Sequence, residues 1–180
     1  MREIHDTAEA TFEAEPSVLF DLITTIDRLP EWNGAIENVI EQPPSLSPGS
    51  TWTVQTHPAP LVRWKSVSRL QELDTNARRF AYRTANADGN PSYALWQWQV
   101  TPTHLAAKVL VRWDVYLETL DRRWLAGPIR RRQLGSEVAA SLKAMANLVA
   151  RATDDSIALH RSVSTDRRTE LRRGHRSTPR

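Results

Sequence analysis

Apolar residues recur along this chain with two different periods, and the changes between them divide it into three regions. Ile4 to Glu13 mixes apolar and polar positions in a strand-like run. Glu15-Pro16-Ser17 then introduces Val18, Leu19, Leu22, Ile23 and Ile26 at helical spacing. Pro16 fits there because the first turn of a helix needs no backbone donor from it. A second short turn, Asp27 to Trp32, stops at Asn33-Gly34, two residues suited to ending a helix. The first region therefore predicts a strand followed by two short helices.

From Ala35 to Leu117 the apolar residues alternate, and turn residues interrupt them at short intervals. The breaks are Pro43-Pro44 through Pro48-Gly49, His57-Pro58-Ala59-Pro60, Asp74-Thr75-Asn76, Asn86 through Pro91, and Thr101-Pro102. They bound six strand-like runs at about 35–42, 50–57, 61–73, 77–85, 92–102 and 104–117. Connections this short favour antiparallel neighbours, since a parallel pair needs a crossover of about a dozen residues or more. With the N-terminal run, seven strands are expected.

The third region, Leu120 to Arg151, is helical in pattern. Leu134, Val138, Leu142, Met145 and Val149 form one apolar stripe, with Ala139, Ala140, Ala144, Ala146 and Ala150 beside it. Gly127-Pro128 marks the start of the continuous helix or a kink in it. A stripe of this length must be buried, and only the sheet is large enough to cover it.

Side chains alternate between the faces of a strand, so the apolar parity of each run identifies its buried face. That face carries Trp52, Val54 and Thr56; Val62, Trp64, Ser66, Ser68 and Leu70; Phe80 and Tyr82; Ala94, Trp96, Trp98 and Val100; and Val109, Val111, Trp113 and Val115. The opposite parity holds Arg63, Lys65, Arg69, Arg79, Arg83, Gln97, Gln99, Lys108, Arg112 and Asp114. One face of the sheet is therefore dry and the other wet. Large flat rings on the sheet against Ala, Leu and Met on the helix suit a partly open cavity, and the small polar Ser66 and Ser68 on the same face point the same way. The alternative is that the aromatic residues pack together and fill the space. The candidate ligand-contacting residues are Trp52, Val54, Trp64, Ser66, Ser68, Phe80, Tyr82, Trp96, Trp98, Val111 and Trp113 on the sheet, with Leu142 and Met145 on the helix.

Composition narrows the chemistry. The 180 residues are 40% hydrophobic, enough for one domain with a real core. Cysteine is absent, which excludes disulfide scaffolds, thiolate metal sites and cysteine nucleophiles. No apolar stretch approaches the roughly 20 residues of a membrane span. The segment Met1 to Asp6 lacks the apolar core of a signal peptide, so a cytoplasmic location is expected. The net charge of +3 is unevenly placed: residues 151–180 hold eight Arg against four acids, leaving the preceding part slightly acidic. A domain over 1–151 and an Arg-rich disordered tail over 152–180 follow. Arg167-Arg168 and Arg172-Arg173 would let the tail contact anionic surfaces weakly, without specific nucleic-acid recognition. Arg130-Arg131-Arg132 reads as the solvated start of the long helix.

Sequence motifs for phosphate-binding loops, zinc proteases, nucleophile elbows and dinucleotide sites are all missing. His5, His57, His104, His160 and His175 are far apart, with His57 and His104 placed in hairpin turns, so no metal site and no cofactor are expected. Tyr82 is the best-placed acid or base on the dry face. Its more ordinary role is structural or ligand-orienting, with the hydroxyl bonded to a neighbour. Tyr116 and Glu118 lie near the end of the last strand, with parity toward the wet face.

Pro16-Ser17-Val18-Leu19-Phe20-Asp21-Leu22, then Leu29-Pro30-Glu31-Trp32 leading into Ala35-Ile36-Glu37-Asn38-Val39, six strands and a closing helix resemble the START/Bet v 1-like superfamily. Within it, the layout is similar to the polyketide cyclase/dehydrase and lipid-transport branch, over about residues 4–151. The resemblance implies an α+β helix-grip fold: a seven-stranded curved antiparallel sheet around a long C-terminal helix, with two short helices after the first strand. It also implies a cavity between sheet and helix, reached near the short helices, where Trp32 serves as a structural plug or borders the opening. Binding or transport of a small hydrophobic ligand of lipid, polyketide or isoprenoid type is the expected function. A polyketide cyclase or dehydratase-like enzyme using the same cavity is the alternative, and a fully packed protein-interaction module is a third possibility. The resemblance carries no catalytic residue across.

Overall fold

The structure, a computed structural model, describes residues 2–59, 62–104, 106–117 and 132–152. Strand β1 (Arg2–Phe12) is followed by helix α1 (Pro16–Thr24), a 3₁₀ turn (Ile26–Arg28) and helix α2 (Leu29–Trp32). Six strands come next: β2 (Ile36–Glu41), β3 (Thr51–Ala59), β4 (Val62–Asp74), β5 (Arg79–Asn86), β6 (Tyr93–Pro102) and β7 (Ala107–Leu117). Residues 132–152 form the last helix, α3. The predicted helical residues before 132, with Gly127-Pro128 and Glu118, lie outside the described residues, as does the tail beyond 152.

All seven strands join one antiparallel sheet in the order β1-β7-β6-β5-β4-β3-β2. Strands β2 to β7 are a simple meander, as short turns require. The N-terminal strand closes on the last one along its whole length, from Arg2↔Leu117 to Phe12↔Ala107. The helical segment between β1 and β2 therefore links the two edges of the sheet. The fold is the α+β helix-grip arrangement, with α3 on the dry face.

The inner face falls into rows of side chains that cross the strands. One row runs Leu73, Phe80, Trp98, Val111, Ala8, and the next Leu70, Tyr82, Trp96, Trp113, Asp6. A third runs Trp52, Ser68, Thr84, Ala94, Val115, Ile4. Strand β4 contributes to the first two rows on a shifted parity, because a bulge between Leu70 and Glu72 lets Gln71 face solvent and turns Leu73 inward. Simple alternation from Leu70 misses this change.

His57 corrects a second expectation. It lies within β3, not in a hairpin turn, and its N–H donates to the Ala35 carbonyl at 2.7 Å. An irregularity between Thr56 and Ala59 accommodates Pro58, which has no N–H to give a ladder. His104, by contrast, is exposed in the loop between β6 and β7.

The core is densely filled at one end. There α1 supplies Leu19, Leu22 and Ile23, the sheet supplies Phe80, Val100, Val109 and Val111, and α3 supplies Leu142, Met145 and Val149, all buried. Trp32 is buried too, meeting Trp98 edge-on with ring centroids 5.4 Å apart. On the outer face Arg63, Lys65, Arg69, Arg79, Arg83 and Arg112 are exposed, as their parity requires.

Candidate functional site: a cavity between the sheet and the last helix

The other end of the inner face is hollow. A partly open cavity of about 470 Å³ lies between α2, the inner face of β3 to β7 and the first half of α3. That volume falls within the range of about 300–1,000 Å³ common for small-molecule sites. Its position follows from the third row: Ser68, Thr84 and Ala94 stand side by side on β4, β5 and β6, and Ser66 and Asn86 continue the dip in the next row. These short side chains cannot reach α3. The helix turns Leu134, Glu137, Val138 and Ser141 toward the gap.

Large rings border this floor. Tyr82 meets Trp52 edge-on at 5.2 Å and stacks near Trp96 at 6.5 Å. Trp64 stands at the far side of the cavity and Trp98 at the side toward the packed core. Of the candidate residues, Trp52, Val54, Trp64, Ser66, Ser68, Tyr82, Trp96 and Trp98 border the cavity. Phe80, Val111, Trp113, Leu142 and Met145 do not border it and are buried in the core.

Five polar side chains of the wall are paired with one another. Trp64 Nε1 donates to Ser66 Oγ at 3.0 Å, and Ser66 Oγ lies 3.0 Å from Thr56 Oγ1. Ser68 Oγ and Thr84 Oγ1 are 2.7 Å apart. The Tyr82 hydroxyl has the Trp98 indole N–H beside it. Burial pushes its pKa up to about 12. The neighbouring Trp98 indole N–H acts in the opposite direction and lowers it in part.

Sequence reasoning missed several wall residues. Asn33, Thr84, Asn86, Tyr93, Gln133, Glu137 and Ser141 all border the cavity. For Gln133, Glu137 and Ser141 the signal was their place on α3 beside Leu134 and Val138. Tyr116, as its parity implied, is not on the cavity wall and stacks on Tyr93 at 4.6 Å. Among the described residues no group of three or more His, Cys, Asp or Glu could hold a metal, and no helix is long and apolar enough to cross a membrane.

A helix gripped by a curved seven-stranded antiparallel sheet, with two short helices after the first strand, defines the START/Bet v 1-like class. Three of the solved structures that share this fold are the following. The Zhui aromatase/cyclase from Streptomyces sp. R1128 has 16% identity and a TM-score of 0.68 over 84% of this chain and 96% of its own. TTHA0849 from Thermus thermophilus has 16% identity and a TM-score of 0.66 over 83% and 99%. Ara h 8.0201 has 14% identity and a TM-score of 0.61 over the same shares. At such identities the likeness is one of fold. No curated protein matches the chain in sequence. The chain belongs to the polyketide cyclase/dehydrase and lipid transport family, whose model matches residues 3–150.

Proposed function

We propose that this protein binds a small hydrophobic molecule in the cavity between the sheet and α3, acting as a carrier or sensor of lipid, polyketide or isoprenoid-like compounds in the cytoplasm. One observation supports this above the others: a hollow of about 470 Å³, bordered by Trp52, Trp64, Tyr82, Trp96 and Trp98, occupies space that a purely structural core would fill. Burying about 300 Å² of apolar ligand at roughly 25 cal/mol per Å² gives on the order of 7 kcal/mol. Lost translational and rotational freedom offsets several of these, which leaves affinities in the micromolar range.

The second reading is a cyclase or dehydratase-like enzyme that folds a reactive chain inside the same cavity. Its supporting observation is that Tyr82 and Glu137 border the cavity from the sheet and from the helix. With its pKa near 12, the phenol is a proton donor at neutral pH and not a base.

The deciding experiment is native purification, extraction with organic solvent and mass spectrometry of the extract, with a parallel titration of the folded protein with Nile red. A stoichiometric apolar compound, or saturable Nile red fluorescence, is expected. An empty extract together with no probe binding by folded protein would sink the proposal.

A further inference from the structure

The outer face of the sheet, away from the cavity, holds its cations in two ways. Arg63 pairs with Glu37, Arg79 with Glu72 and Asp74, and Lys108 with Glu9. Lys65, Arg69 and Arg83 are exposed on the same face, yet none forms an ion pair with a described residue. Arg69 and Arg83 stand directly opposite each other on β4 and β5, a placement in which like charges repel. Lys65 precedes Arg69 on the same face of β4, about 13 Å away at about 3.3 Å per residue. Between them lie Val67 and, opposite it on β5, Ala85, neither of them charged. Arg112 on β7 has no ion pair among the described residues either, but it stands apart, with Asp114 next to it on the same face of that strand.

Arg83 is also held in position. Its guanidinium lies over the Tyr93 ring, 3.9 Å from the centroid, and Tyr93 in turn stacks on Tyr116. Contact with the ring face orders the side chain in advance, which lowers the cost of ordering it on binding. Carboxylates bound the strip on its other sides. Glu37 and Glu41 lie beyond β3 on β2, Glu72 and Asp74 follow on β4 itself, and Asp114 lies beyond β6 on β7. A bilayer surface or a nucleic-acid duplex spread over this face would bring its phosphates against those carboxylates. An extended peptide lying along β4 meets the three cations without them.

We propose that the outer face of β4 and β5 is a docking surface for an acidic peptide segment of a partner protein, whose carboxylates are taken by Arg69 and Arg83 and, further along the segment, by Lys65. Charge complementarity carries the proposal. Each guanidinium presents the paired N–H donors that a carboxylate accepts, and the two stand side by side. An extended segment places alternate side chains on one side, so its acidic residues can repeat at the spacing of Arg69 and Lys65. The surface is on the opposite side of the sheet from the cavity and does not depend on what the cavity holds.

The test is fluorescence anisotropy of a dye-tagged hexaglutamate peptide titrated with the full chain in low-salt buffer. Arg69→Gln and Arg79→Gln remove the same charge from the same face, but Arg79 already has its acids. Hexaglutamate should bind the wild type saturably. Its affinity should fall about two- to fivefold in Arg69→Gln and about three- to tenfold in Arg69→Gln/Arg83→Gln, against less than about twofold in Arg79→Gln. Nile red binding and the melting temperature of the double variant should match the wild type, which separates loss of the surface from loss of the fold or the cavity. No saturable binding of hexaglutamate by the folded wild type overturns the proposal. So do equal losses in Arg69→Gln and Arg79→Gln, which mean diffuse attraction to net charge. Tighter binding of phosphatidylserine vesicles or of a short DNA duplex than of hexaglutamate, lost in the double variant, overturns it in favour of that occupant.

Discussion

Ser68 and Thr84 face each other across β4 and β5 with their hydroxyl oxygens 2.7 Å apart, and this pair forms the floor of the cavity. Each satisfies part of the other's polar demand without a longer side chain. The floor therefore stays low where Leu70 in the next row and Phe80 in the row beyond it fill the core.

Raising that floor should abolish binding without unfolding the protein. Ala94 stands beside Thr84 on β6, borders the cavity and has no polar atom in its side chain. Ala94→Phe is expected to weaken Nile red binding at least about tenfold while changing the melting temperature by only a few degrees, since cavity filling is commonly neutral to stabilising. Unchanged dye binding by a folded Ala94→Phe protein would place the dye elsewhere.

The packed end should answer in the opposite way. Met145 on α3 is fully buried and does not border the cavity. Met145→Ala should lower stability by about 2–4 kcal/mol in urea denaturation, the usual range for truncating a buried Met. Dye affinity of the folded fraction should change little. A large loss of affinity with little loss of stability would mean that the hollow extends to Met145.

Much of this arrangement was legible in the sequence. The alternation of Val109, Val111, Trp113 and Val115 fixed which face of β7 is dry, and the stripe from Leu134 to Val149 fixed the buried side of α3. Parity says which way a side chain points but not how far the opposite layer lies from it. Phe80 and Tyr82 have the same parity, yet Phe80 is packed and Tyr82 borders a hollow. The difference arises because Ser68, Thr84 and Ala94 align across three strands, which depends on register between segments distant in sequence. The bulge at Gln71 was hidden for a similar reason, since it is visible only against the partner strand. Glu137 was not singled out because the cavity beneath it is invisible along the chain.

The turn before β3 gives a local test. Gly49 has φ of +92° and its N–H donates to the Leu70 carbonyl at 2.9 Å, fixing the start of the β3–β4 pairing. A side chain there is strained whatever space surrounds it. Gly49→Ala should cost about 1 kcal/mol or more in stability, read as a lower urea midpoint. No change would mean that the turn relaxes to a negative φ without loss.

The ionisation of Tyr82 predicts a specific alkaline instability. The unfolded phenol titrates near its ordinary value of 10.0, and burial raises the folded value to about 12. Between these values the unfolded chain loses a proton that the folded protein keeps, so rising pH favours unfolding. Stability from this group is fully present below about pH 10 and is lost as pH rises toward 12, on the order of 2–3 kcal/mol in all. Other side chains also titrate in this window, so the readout is a difference: urea denaturation at pH 9 and pH 11 for the wild type and for Tyr82→Phe. The wild type should lose more stability over that interval than the variant. Absorbance at 295 nm should lose its step near pH 12 in the variant. Equal losses in the two proteins, with the alkaline step retained, would mean that the Tyr82 phenol is open to water.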